Sequence, residues 1–483
     1  MKSYSDQSGE LLTLLKKAAA TRYGKQFRFE EITSYEQFRE QVPLTDYDDL
    51  TQQIEQLKHG EKDLLWPGKV NEFAVSAGTT GSGKHLPVTR ERLQTDRKFA
   101  RDIVGSYVKR RKTFKPFLGK QLSLPGSVEE KEIDGHPFAV GEISGLLAKH
   151  APSYLRLFQL ASPEKLTQLS FSEKFDLILN KALESDIRVI TAVPSWTLTL
   201  FQTALERTGK ERVADIWPNL TLLVCGGVKL ANYRPHLETL AGFGNRNKLD
   251  FIETYGASEG YFAFSDKFER NDLKLVTDNG LFYEWIPVEK GNNGQQNAIP
   301  TWEVESGKPY QMVVSNNAGL WRYRVKDIIT FSEAEVPRIE VIGRMDDMLD
   351  DYGEATHASE AEQALQSVSN KIGAKFTAFT IGATLASSHD IPRHYWFIQW
   401  QDVPPPDKLA EKLDAELQRV NRHYAIRRES EALGMPVLFK IDQNAINRFF
   451  EEKNKRPAQA KLPKILKGNE DVGIFQKYAE KLS

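Results

Sequence analysis

The sequence predicts an α/β protein of two domains: a large N-terminal domain with mostly parallel sheets and helices, and a smaller α+β C-terminal domain. A chain of 483 residues is too long for one ordinary hydrophobic core. Short apolar runs alternate with segments of helical period along most of its length, which is typical of sheets whose strands are joined by helices. Near residue 343 the order of elements changes, and this change predicts the second domain.

The first sixty residues predict helices. Ser5 is the expected N-cap of the first helix, whose apolar side is rich in leucine. Thr45 is the expected N-cap of a second helix over Asp46–Lys58, which has acidic residues in its first turn and ends at Gly60.

Predicted strands and helices alternate from residue 73 onward. Apolar runs predict strands at Phe73–Ser76, Ile187–Ala192, Leu220–Cys225, Leu249–Glu253, Gln311–Ser315 and Arg338–Ile342. Amphipathic helices are predicted between some of them, at Phe171–Glu184 and Ser195–Glu206.

The predicted domains are residues 1–342 and 343–483. An acidic run at residues 346–351 follows the boundary, and a new order of elements begins after it. The predicted elements there are the helix Ser359–Ser367, the strands Phe376–Ile381 and Tyr395–Trp400, and the helix Asp407–Asn421. This order predicts a separate α+β domain.

Composition argues against several kinds of partner. With 65 basic and 66 acidic side chains the net charge is −1, so no nucleic-acid partner is expected. No apolar run approaches the roughly 20 residues of a membrane span, and the N-terminus lacks an apolar signal core. We therefore expect a cytoplasmic protein without a membrane partner. The only cysteine, Cys225, follows an apolar run and is expected to be a buried structural thiol. The oligomeric state has no signal in the sequence.

Residues 76–89 are rich in glycine and hydroxyl side chains. They nearly match a P-loop, but His85 stands where that loop needs a hydroxyl for Mg²⁺, and Pro87 removes a backbone donor from the helix that should follow. The stretch therefore predicts a phosphate-binding loop that does not open a helix. A flexible surface hairpin is the alternative.

A second motif, Glu-Thr-Tyr-Gly-Ala-Ser-Glu-Gly at residues 253–260, follows an apolar strand. The ring of Tyr255 can stack on a base. The carboxylate of Glu259, just past the end of the strand, can hold Mg²⁺. The alternative is a tight turn with a solvated glutamate.

Three later motifs complete an ordered set. Asp327 ends the run Trp321–Asp327 and can accept two ribose hydroxyls, as acidic residues do in nucleotide sites. Arg344 lies at the predicted boundary and can contact ribose or phosphate. Lys461 lies in a lysine-rich tail. Taken singly, these residues are equally explained by a surface Arg–Asp pair and a solvated lysine.

The order of the five motifs resembles the adenylate-forming superfamily of acyl-CoA synthetases, peptide-synthetase adenylation domains and luciferases. Further motifs are similar to the Gretchen Hagen family of acyl-acid amido synthetases, and more to its bacterial branch than to its plant enzymes. They include Thr21-x-x-Gly24-Lys25, Val42-Pro-Leu-x-x-Tyr47, Leu65-Trp-Pro-Gly68, Val193-Pro-Ser-Trp196, Trp217-Pro-Asn-Leu220, Gly226-Gly227-Val228 and Gly319-Leu-Trp-Arg322-Tyr323.

The resemblance implies an enzyme that uses ATP and Mg²⁺ to join a carboxylic acid to an amine, for this family an amino acid, through an acyl-adenylate. It implies a large adenylate-forming domain with a strand–loop–strand hairpin around the phosphate loop, and a mobile C-terminal domain. The implied ATP contacts are Ser76, Thr79, Thr80, Gly81, Ser82, Gly226, Gly227, Val228, Tyr255, Gly256, Ser258, Asp327 and Arg344. The implied catalytic residues are Lys461, Glu259 and Arg344, with Glu259 as the Mg²⁺ ligand.

This sequence departs from the family at three places. Lys326 replaces the glycine usual before the ribose-binding aspartate, the acidic run 346–351 is unusual, and Pro457-Ala458 stands before the tail Gln459. Two alternatives therefore stay open, a thioester ligase for coenzyme A or a carrier protein and a non-catalytic nucleotide-binding relative. A P-loop kinase is a third and is disfavoured by His85 and Pro87.

The substrates are not named by the sequence. Trp196 and Phe262 are the candidate contacts of an apolar acid pocket, and a plain core role for Trp196 is the alternative.

Overall fold

The computed structural model describes residues 2–76, 84–169, 171–227, 229–244, 249–288, 298–345, 348–349, 354, 356–384, 392–401, 408–429, 433–453, 462–466 and 468–482. The chain forms two compact units. The first comprises Met1–Val325 and Ile329–Glu340, and the second comprises Lys326–Ile328 and Val341–Ser483.

The helices of the described chain are as follows: α1 Lys2–Ala18, α2 Arg22–Gln26, α3 Tyr35–Gln41, α4 Tyr47–Lys58, α5 Arg90–Arg111, α6 Ile143–Lys149, α7 Pro163–Gln168, α8 Phe171–Leu183, α9 Pro194–Thr208, α10 Arg234–Ala241, α11 Ala358–Ile372, α12 Leu409–Val420, α13 Arg422–Glu429, α14 Gln443–Glu452 and α15 Gly468–Tyr478.

The strands are as follows: β1 Glu72–Ser76, β2 Lys84–Pro87, β3 Lys120–Ser123, β4 Val128–Ile133, β5 His136–Gly141, β6 Ile187–Ala192, β7 Leu222–Gly226, β8 Asp250–Ala257, β9 Gly260–Phe264, β10 Leu273–Leu275, β11 Leu281–Pro287, β12 Ile299–Pro300, β13 Pro309–Asn316, β14 Tyr323–Glu333, β15 Arg338–Arg344, β16 Met348–Leu349, β17 Thr356–His357, β18 Phe376–Thr384, β19 Arg393–Trp400, β20 Gly434–Lys440 and β21 Glu480–Leu482.

The α/β fold class is confirmed, with one difference in the sheets. The largest sheet has the order β12-β11-β13-β14-β15-β10-β9-β8-β7-β6-β3. Its strands β3, β6, β7 and β8 are parallel neighbours, whereas β8, β9 and β10 pair antiparallel, as do β11, β12 and β13. The predicted parallel arrangement therefore holds for the end formed by β3, β6, β7 and β8, and not for the antiparallel pairs just named.

A second sheet of the first unit has the order β2-β1-β5-β4. Its two central strands, β1 and β5, are parallel, and each is flanked by an antiparallel edge strand. Helix α6 packs on this sheet through a small core in which Leu146 meets Ala74 and Val88.

Two predicted caps are wrong. Helix α1 begins at Lys2, so Ser5 lies within the helix. Helix α4 is capped by Asp46 and not by Thr45, in a capping box with the Asp49 side chain. The Thr45 hydroxyl instead donates a 2.8 Å hydrogen bond to the carbonyl of Trp321, so it joins the N-terminal segment to the residues just before strand β14.

One core of the first unit lies between strands β6 and β7 and helices α8 and α9. The Trp217 indole is 1% exposed there, and its N–H donates to the Ala182 carbonyl at 2.8 Å. Cys225 is buried in the same core, and burial raises the pKa of its thiol, as expected for a structural cysteine. Among the helices that the structure describes, none combines the length and apolar composition needed to cross a bilayer.

The second unit is a four-stranded sheet, β18-β19-β20-β21, between two layers of helices. Trp396 and Ile398 of β19 face a core with α11 and α12, while the alternate residues Tyr395 and Phe397 face a core with α14 and α15. Alternation of this kind is what a strand buried on both faces requires. The predicted α+β character of this region is confirmed.

A buried charge network joins strand β15 to the residue before strand β10 in the large sheet. Arg338 and Asp272 are 2% and 4% exposed, and the guanidinium Nε donates to the Asp272 carboxylate at 2.9 Å. Burial raises the pKa of Asp272, but hydrogen bonds from Arg270, Arg338 and Ser332 outweigh it and hold the pKa well below its usual range. The ionised carboxylate is therefore stabilised by the folded state.

We expect Asp272→Asn to lower the free energy of unfolding at pH 7 by about 3 kcal/mol, the lower end of the cost of breaking a buried pair, because Arg338 keeps only Asp266 as a carboxylate partner. A lowered pKa stabilises the fold above the ordinary aspartate pKa of about 3.9 and loses this effect as the pH falls further. The difference from wild type should therefore shrink at pH 3.

Urea unfolding at both pH values measures this difference. Asp102→Asn, in a half-exposed ion pair with Lys98, is the control and should cost under about 1 kcal/mol. An equal loss for Asp272→Asn at pH 7 and pH 3 would contradict the assignment.

Candidate active site

The predicted phosphate loop is held by a β-hairpin. Strands β1 and β2 pair antiparallel, with Ser76 opposite Lys84, so the loop connects two strands and opens no helix. This confirms the strand–loop–strand arrangement. Residues 77–83, which include the predicted contacts Thr79, Thr80, Gly81 and Ser82, lie outside the described residues, and for Ser76 only the backbone is described.

The hairpin is anchored at its outer strand by Tyr47. The His85 backbone N–H donates to the Tyr47 hydroxyl at 3.0 Å, and the Lys84 ammonium lies 5.4 Å from the centre of the tyrosine ring. At the other end of the strand, the Val88 N–H donates to the Glu72 carbonyl at 2.8 Å. Burial, with Lys58 and Lys131 nearby, lowers the pKa of His85, so this histidine is neutral at pH 7.

Several predicted residues meet at the carboxyl edge of the parallel strands. Gly226, the last residue of β7, pairs with Thr254 of β8, so the Gly226-Gly227 pair lies beside the Tyr255–Glu259 segment. Gly227 has φ 87°, a conformation that favours glycine. In open α/β sheets this edge is where ligands bind. Val228 lies outside the described residues.

An aromatic pair supports the predicted base-binding residue. Tyr255 is 9% exposed, and its ring centre lies 5.0 Å from that of Phe262, which has no exposed surface. Phe262 in turn contacts the buried ring of Tyr283. Phe262 therefore supports Tyr255 from the interior of the unit.

Gly256 lies at an irregularity where β8 and β9 shift register. A Cβ atom there would come within 2.6 Å of the Tyr261 ring. Only glycine therefore fits at this position without a steric clash.

The Ser258–Glu259 turn is fixed through its main chain and one hydroxyl. The Ser258 hydroxyl donates to the Val75 carbonyl at 3.2 Å, which joins this turn to the hairpin strand β1. The Glu259 carbonyl accepts hydrogen bonds from Arg92 at 2.6 Å and from Asn316 at 2.9 Å. Glu259 is half-buried. The turn with the predicted metal ligand is therefore bonded to strand β1, which leads into the predicted phosphate loop.

Asp327 and Arg344 belong to the second unit and are neighbours within it. Met345, which follows Arg344, donates its N–H to the carbonyl of Lys326, which precedes Asp327, at 2.6 Å. Strands β14 and β15 are adjacent in the sheet, so Asp327 and Arg344 lie on neighbouring strands. Asp327 is 8% exposed. For Arg344 only the backbone is described, and Lys461 lies outside the described residues.

Trp196, the other predicted substrate contact, lies in the first turn of α9 and packs against the core around Trp217 and Cys225. Helix α9 begins directly after β6, so this residue also follows a carboxyl end of the parallel strands.

Sequence reasoning missed two charges that interact in the first unit, the half-buried Glu142 and the buried Lys174. Glu142 follows strand β5 next to the parallel strand β1, and within the described residues one of its buried carboxylate oxygens has no hydrogen-bond partner. The Lys174 ammonium donates to the Pro125 carbonyl at 2.7 Å. Burial raises the pKa of Glu142 and lowers the pKa of Lys174. Neither residue lies in a recognisable motif, so only the fold reveals them.

Arg92 and Asn316 were also missed. Arg92 and Asp96 stand four residues apart on α5, a spacing that predicts an ion pair on one helix face. That signal was available in the sequence. The contacts of Arg92 and Asn316 with the Glu259 carbonyl, across 167 and 57 positions of the chain, were not available there.

The donor set suits a magnesium ion shared with a nucleotide. No group of three histidine, cysteine, aspartate or glutamate side chains that could hold a metal is found in the part of the chain that the structure describes. Mg²⁺ is commonly held by one or two carboxylates together with substrate phosphates. The single carboxylate of Glu259 beside a phosphate-type hairpin fits that mode.

Three family models match the chain in sequence order. They are the GH3 family N-terminal domain over residues 4–216, the GH3 family central domain over residues 274–344, and the GH3 family C-terminal domain over residues 359–470. Together they cover most of the chain.

Named relatives and solved structures point the same way. The chain is 24% identical to the indole-3-acetic acid-amido synthetase GH3.3 of Arabidopsis thaliana, over 91% of this chain and 84% of that protein. The structure matches the AtGH3.15 acyl acid amido synthetase in complex with 2,4-DB with a TM-score of 0.82, at 17% identity, covering 99% and 94% of the two chains. It matches a 2-hydroxyisobutyryl-CoA ligase in complex with R3-HIB-AMP with a TM-score of 0.58, at 13% identity, covering 97% and 90%.

We expect Gly256→Ala to weaken nucleotide binding, because the added methyl group forces the Tyr255–Glu259 segment away from the Tyr261 ring. Overpacking of this kind costs about 1–3 kcal/mol. Each 1.4 kcal/mol lost from the free energy of ATP binding lowers the affinity about tenfold. Calorimetric titration with ATP measures the change.

Gly244→Ala is the matched control, since a Cβ there meets nothing within 4 Å. Unchanged ATP affinity in a folded Gly256→Ala protein would show that this turn is not part of a nucleotide site.

Proposed function

Because the chain belongs to the GH3 family, we propose that it is an ATP-dependent acyl-acid amido synthetase. It activates a carboxylic acid as an acyl-adenylate, releases pyrophosphate, transfers the acyl group to an amine and releases AMP. The prediction of an acid–amine ligase agrees with the named relatives, which are amido synthetases. Adenylate-forming relatives imply that ATP is used.

One contact supports this function best, the 3.2 Å hydrogen bond from the Ser258 hydroxyl to the Val75 carbonyl. It holds strand β1 of the β1–β2 hairpin, the proposed phosphate hairpin, against the turn that carries Glu259. The strand that leads into the glycine- and hydroxyl-rich segment is thereby joined to the turn with the Glu259 carboxylate, and an adenylating enzyme needs backbone N–H groups, hydroxyls and a carboxylate around the phosphates of ATP.

Two bond exchanges follow from the chemistry of a carboxylic acid. The free carboxylate is a poor acyl donor, because its leaving group would be oxide. Its oxygen attacks the α-phosphorus of ATP, forming a C–O–P bond and breaking the bond between the α- and β-phosphates. The amine nitrogen then attacks the carbonyl carbon, the amide forms, AMP leaves and the amine gives up a proton.

The residues of the first unit take distinct parts in this scheme. We propose that the hairpin with Ser76 and residues 79–82 binds the phosphates, that Gly226 to Val228 with Gly256 line the nucleotide, and that Tyr255 lies against adenine. Glu259 would hold Mg²⁺, which when bound neutralises charge that develops on the phosphates. Trp196 would contact the acid. Phe262, the other predicted acid contact, has no exposed surface and would act by supporting Tyr255.

Further assignments rest on the resemblance and remain predictions. They are ribose binding by Asp327, phosphate contact by Arg344, stabilisation of charge by Lys461, a domain boundary between residues 342 and 343, a cytoplasmic location and membership of the bacterial branch. We propose an amino acid as the amine, in keeping with the names of the relatives.

A product assay tests the proposed function. Purified protein, ATP and Mg²⁺ are incubated with a panel of carboxylic acids that includes indole-3-acetic acid and 2,4-DB, and exchange of labelled pyrophosphate into ATP is measured. We expect exchange with at least one acid, and AMP together with an amide when amino acids are added. ADP as the product would contradict the proposal.

Coenzyme A added in place of amino acids distinguishes the thioester alternative. A thioester product in that reaction, with no amide from any amino acid, would assign the chain to that class. Tight ATP binding without exchange for any acid would favour a non-catalytic relative.

We expect Asp327→Asn to lower kcat/KM for ATP by about tenfold to about a hundredfold, the effect of losing a charged hydrogen-bond acceptor worth about 1.5–3 kcal/mol. Pyrophosphate exchange at varied ATP concentration measures it, with a thermal melt to check folding.

Asp250→Asn is the matched control for this variant. Asp250 is similarly buried, at 6% exposed, but lies at the amino end of β8 in an ion pair with Arg111. It should lose stability and keep the KM for ATP. Wild-type kinetics in Asp327→Asn would refute the ribose role.

A further inference from the structure

Arg92 is a buried guanidinium aimed at the Ser258–Glu259 turn. It is 1% exposed and lies in the first turn of α5, whose N-cap is Thr89. Its Nε donates to both carboxylate oxygens of Asp96 at 2.9 Å, and its Nη1 donates to the carbonyl of Glu259 at 2.6 Å, with the Ser258 carbonyl at 3.5 Å. Its charge is therefore neutralised on one side, and its remaining contacts go to the turn.

The bond between Arg92 and Glu259 is reinforced from a second element. Asn316, at the end of β13, has no exposed surface and donates its side-chain N–H to the same Glu259 carbonyl at 2.9 Å. Its side-chain oxygen accepts from the N–H groups of Ala318 and Leu320, so its amide cannot rotate freely. One main-chain carbonyl thus accepts two hydrogen bonds from two buried side chains.

These contacts fix the main chain of the residue proposed to hold Mg²⁺. The Ser258 hydroxyl ties the other end of the turn to Val75. With the carbonyl and the preceding hydroxyl both held, the backbone of Glu259 has one position, and the carboxylate keeps only its side-chain torsions. A carboxylate prepositioned in this way loses less freedom when it binds a cation.

We propose that Arg92 and Asn316 are positioning residues that set the Glu259 carboxylate for Mg²⁺ by holding the Glu259 main-chain carbonyl. The inference rests on the proposed function, in which Glu259 holds the metal of Mg²⁺–ATP. It adds two residues that neither touch the reacting atoms nor lie in any motif of the sequence, and it predicts a defect specific to Mg²⁺ and not to ATP.

Two variants break the bonds to the Glu259 carbonyl in different ways. Arg92→Lys shortens the side chain and removes the planar fork that serves Asp96 and Glu259 together. Asn316→Asp keeps the acceptor oxygen used by Ala318 and Leu320 and replaces the donor that serves Glu259. A shared phenotype therefore points to the carbonyl and not to either side chain alone.

Arg338→Lys is the matched control. Arg338 is also buried, at 2% exposed, pairs with an aspartate, and donates to a main-chain carbonyl, that of Asp272, at 3.3 Å. It lies outside the hairpin and the turn. Its loss should lower the melting temperature by an amount comparable to Arg92→Lys and leave the Mg²⁺ dependence unchanged.

The experiment measures the Mg²⁺ concentration for half-maximal pyrophosphate exchange at saturating ATP, the melting temperature, and ATP affinity by calorimetry with Mg²⁺ and with EDTA. We expect Arg92→Lys and Asn316→Asp to raise the half-maximal Mg²⁺ concentration about tenfold or more, as for a loss of about 1.4 kcal/mol. ATP affinity in EDTA should stay within about twofold of wild type.

Each outcome has one meaning. Wild-type Mg²⁺ dependence in folded Arg92→Lys and Asn316→Asp would overturn the inference, as would an equal change in Arg338→Lys. If one variant does not fold, the other decides by the same measurements. If wild-type protein itself shows no exchange and no effect of Mg²⁺ on ATP affinity, the proposed function fails, and the variants are not the cause.

Discussion

A buried ion pair between Arg322 and Glu284 joins the N-terminal segment to the large sheet. The two residues are 4% and 1% exposed, and burying both charges costs several kcal/mol unless their donors and acceptors are satisfied. Arg322 donates through Nε and one terminal nitrogen to the Glu284 carboxylate, and through the other to the main-chain carbonyls of Arg39 and Val42, at 2.9 and 2.7 Å. The segment before α4 can therefore follow only one path along β14.

That path leads to the hairpin of strands β1 and β2. Its contacts there explain why the glycine-rich segment is followed by a strand and not by the helix of a P-loop. The Thr45 N–H donates to the Arg322 carbonyl at 2.9 Å, and two residues later the Tyr47 hydroxyl accepts from the backbone N–H of His85. Strand β2 is an edge strand, where proline is tolerated, so Pro87 ends it without breaking a ladder. His85 and Pro87 break the P-loop pattern, and both suit an edge strand. His85 binds Tyr47 through its backbone N–H, and Pro87 lies where a ladder hydrogen bond can be missing.

The sequence predicted well what is local and periodic. Strand β6 has the predicted bounds, and α8 ends one residue earlier than predicted. The antiparallel strands from β9 to β12 were not predicted, because β11 is buried along almost its whole length and shows no alternation to read. The residues at strand ends were found through motifs. Arg92 and Asn316 were not, since their shared partner, the Glu259 carbonyl, is a backbone atom and leaves no trace in sequence.

Three buried arginines share one arrangement in the first unit. Arg322, Arg338 and Arg92 each pair with a carboxylate and spend another nitrogen on main-chain carbonyls far along the chain. The carboxylate lowers the cost of burying the charge, and the carbonyl contacts then fix a distant turn or loop more firmly than neutral donors would. A lysine cannot do both, because it is a point charge without a planar fork. Of the three, only Arg92 fixes the turn that is hydrogen-bonded to strand β1, so the contact that stabilises the fold there also holds the main chain of the proposed metal ligand.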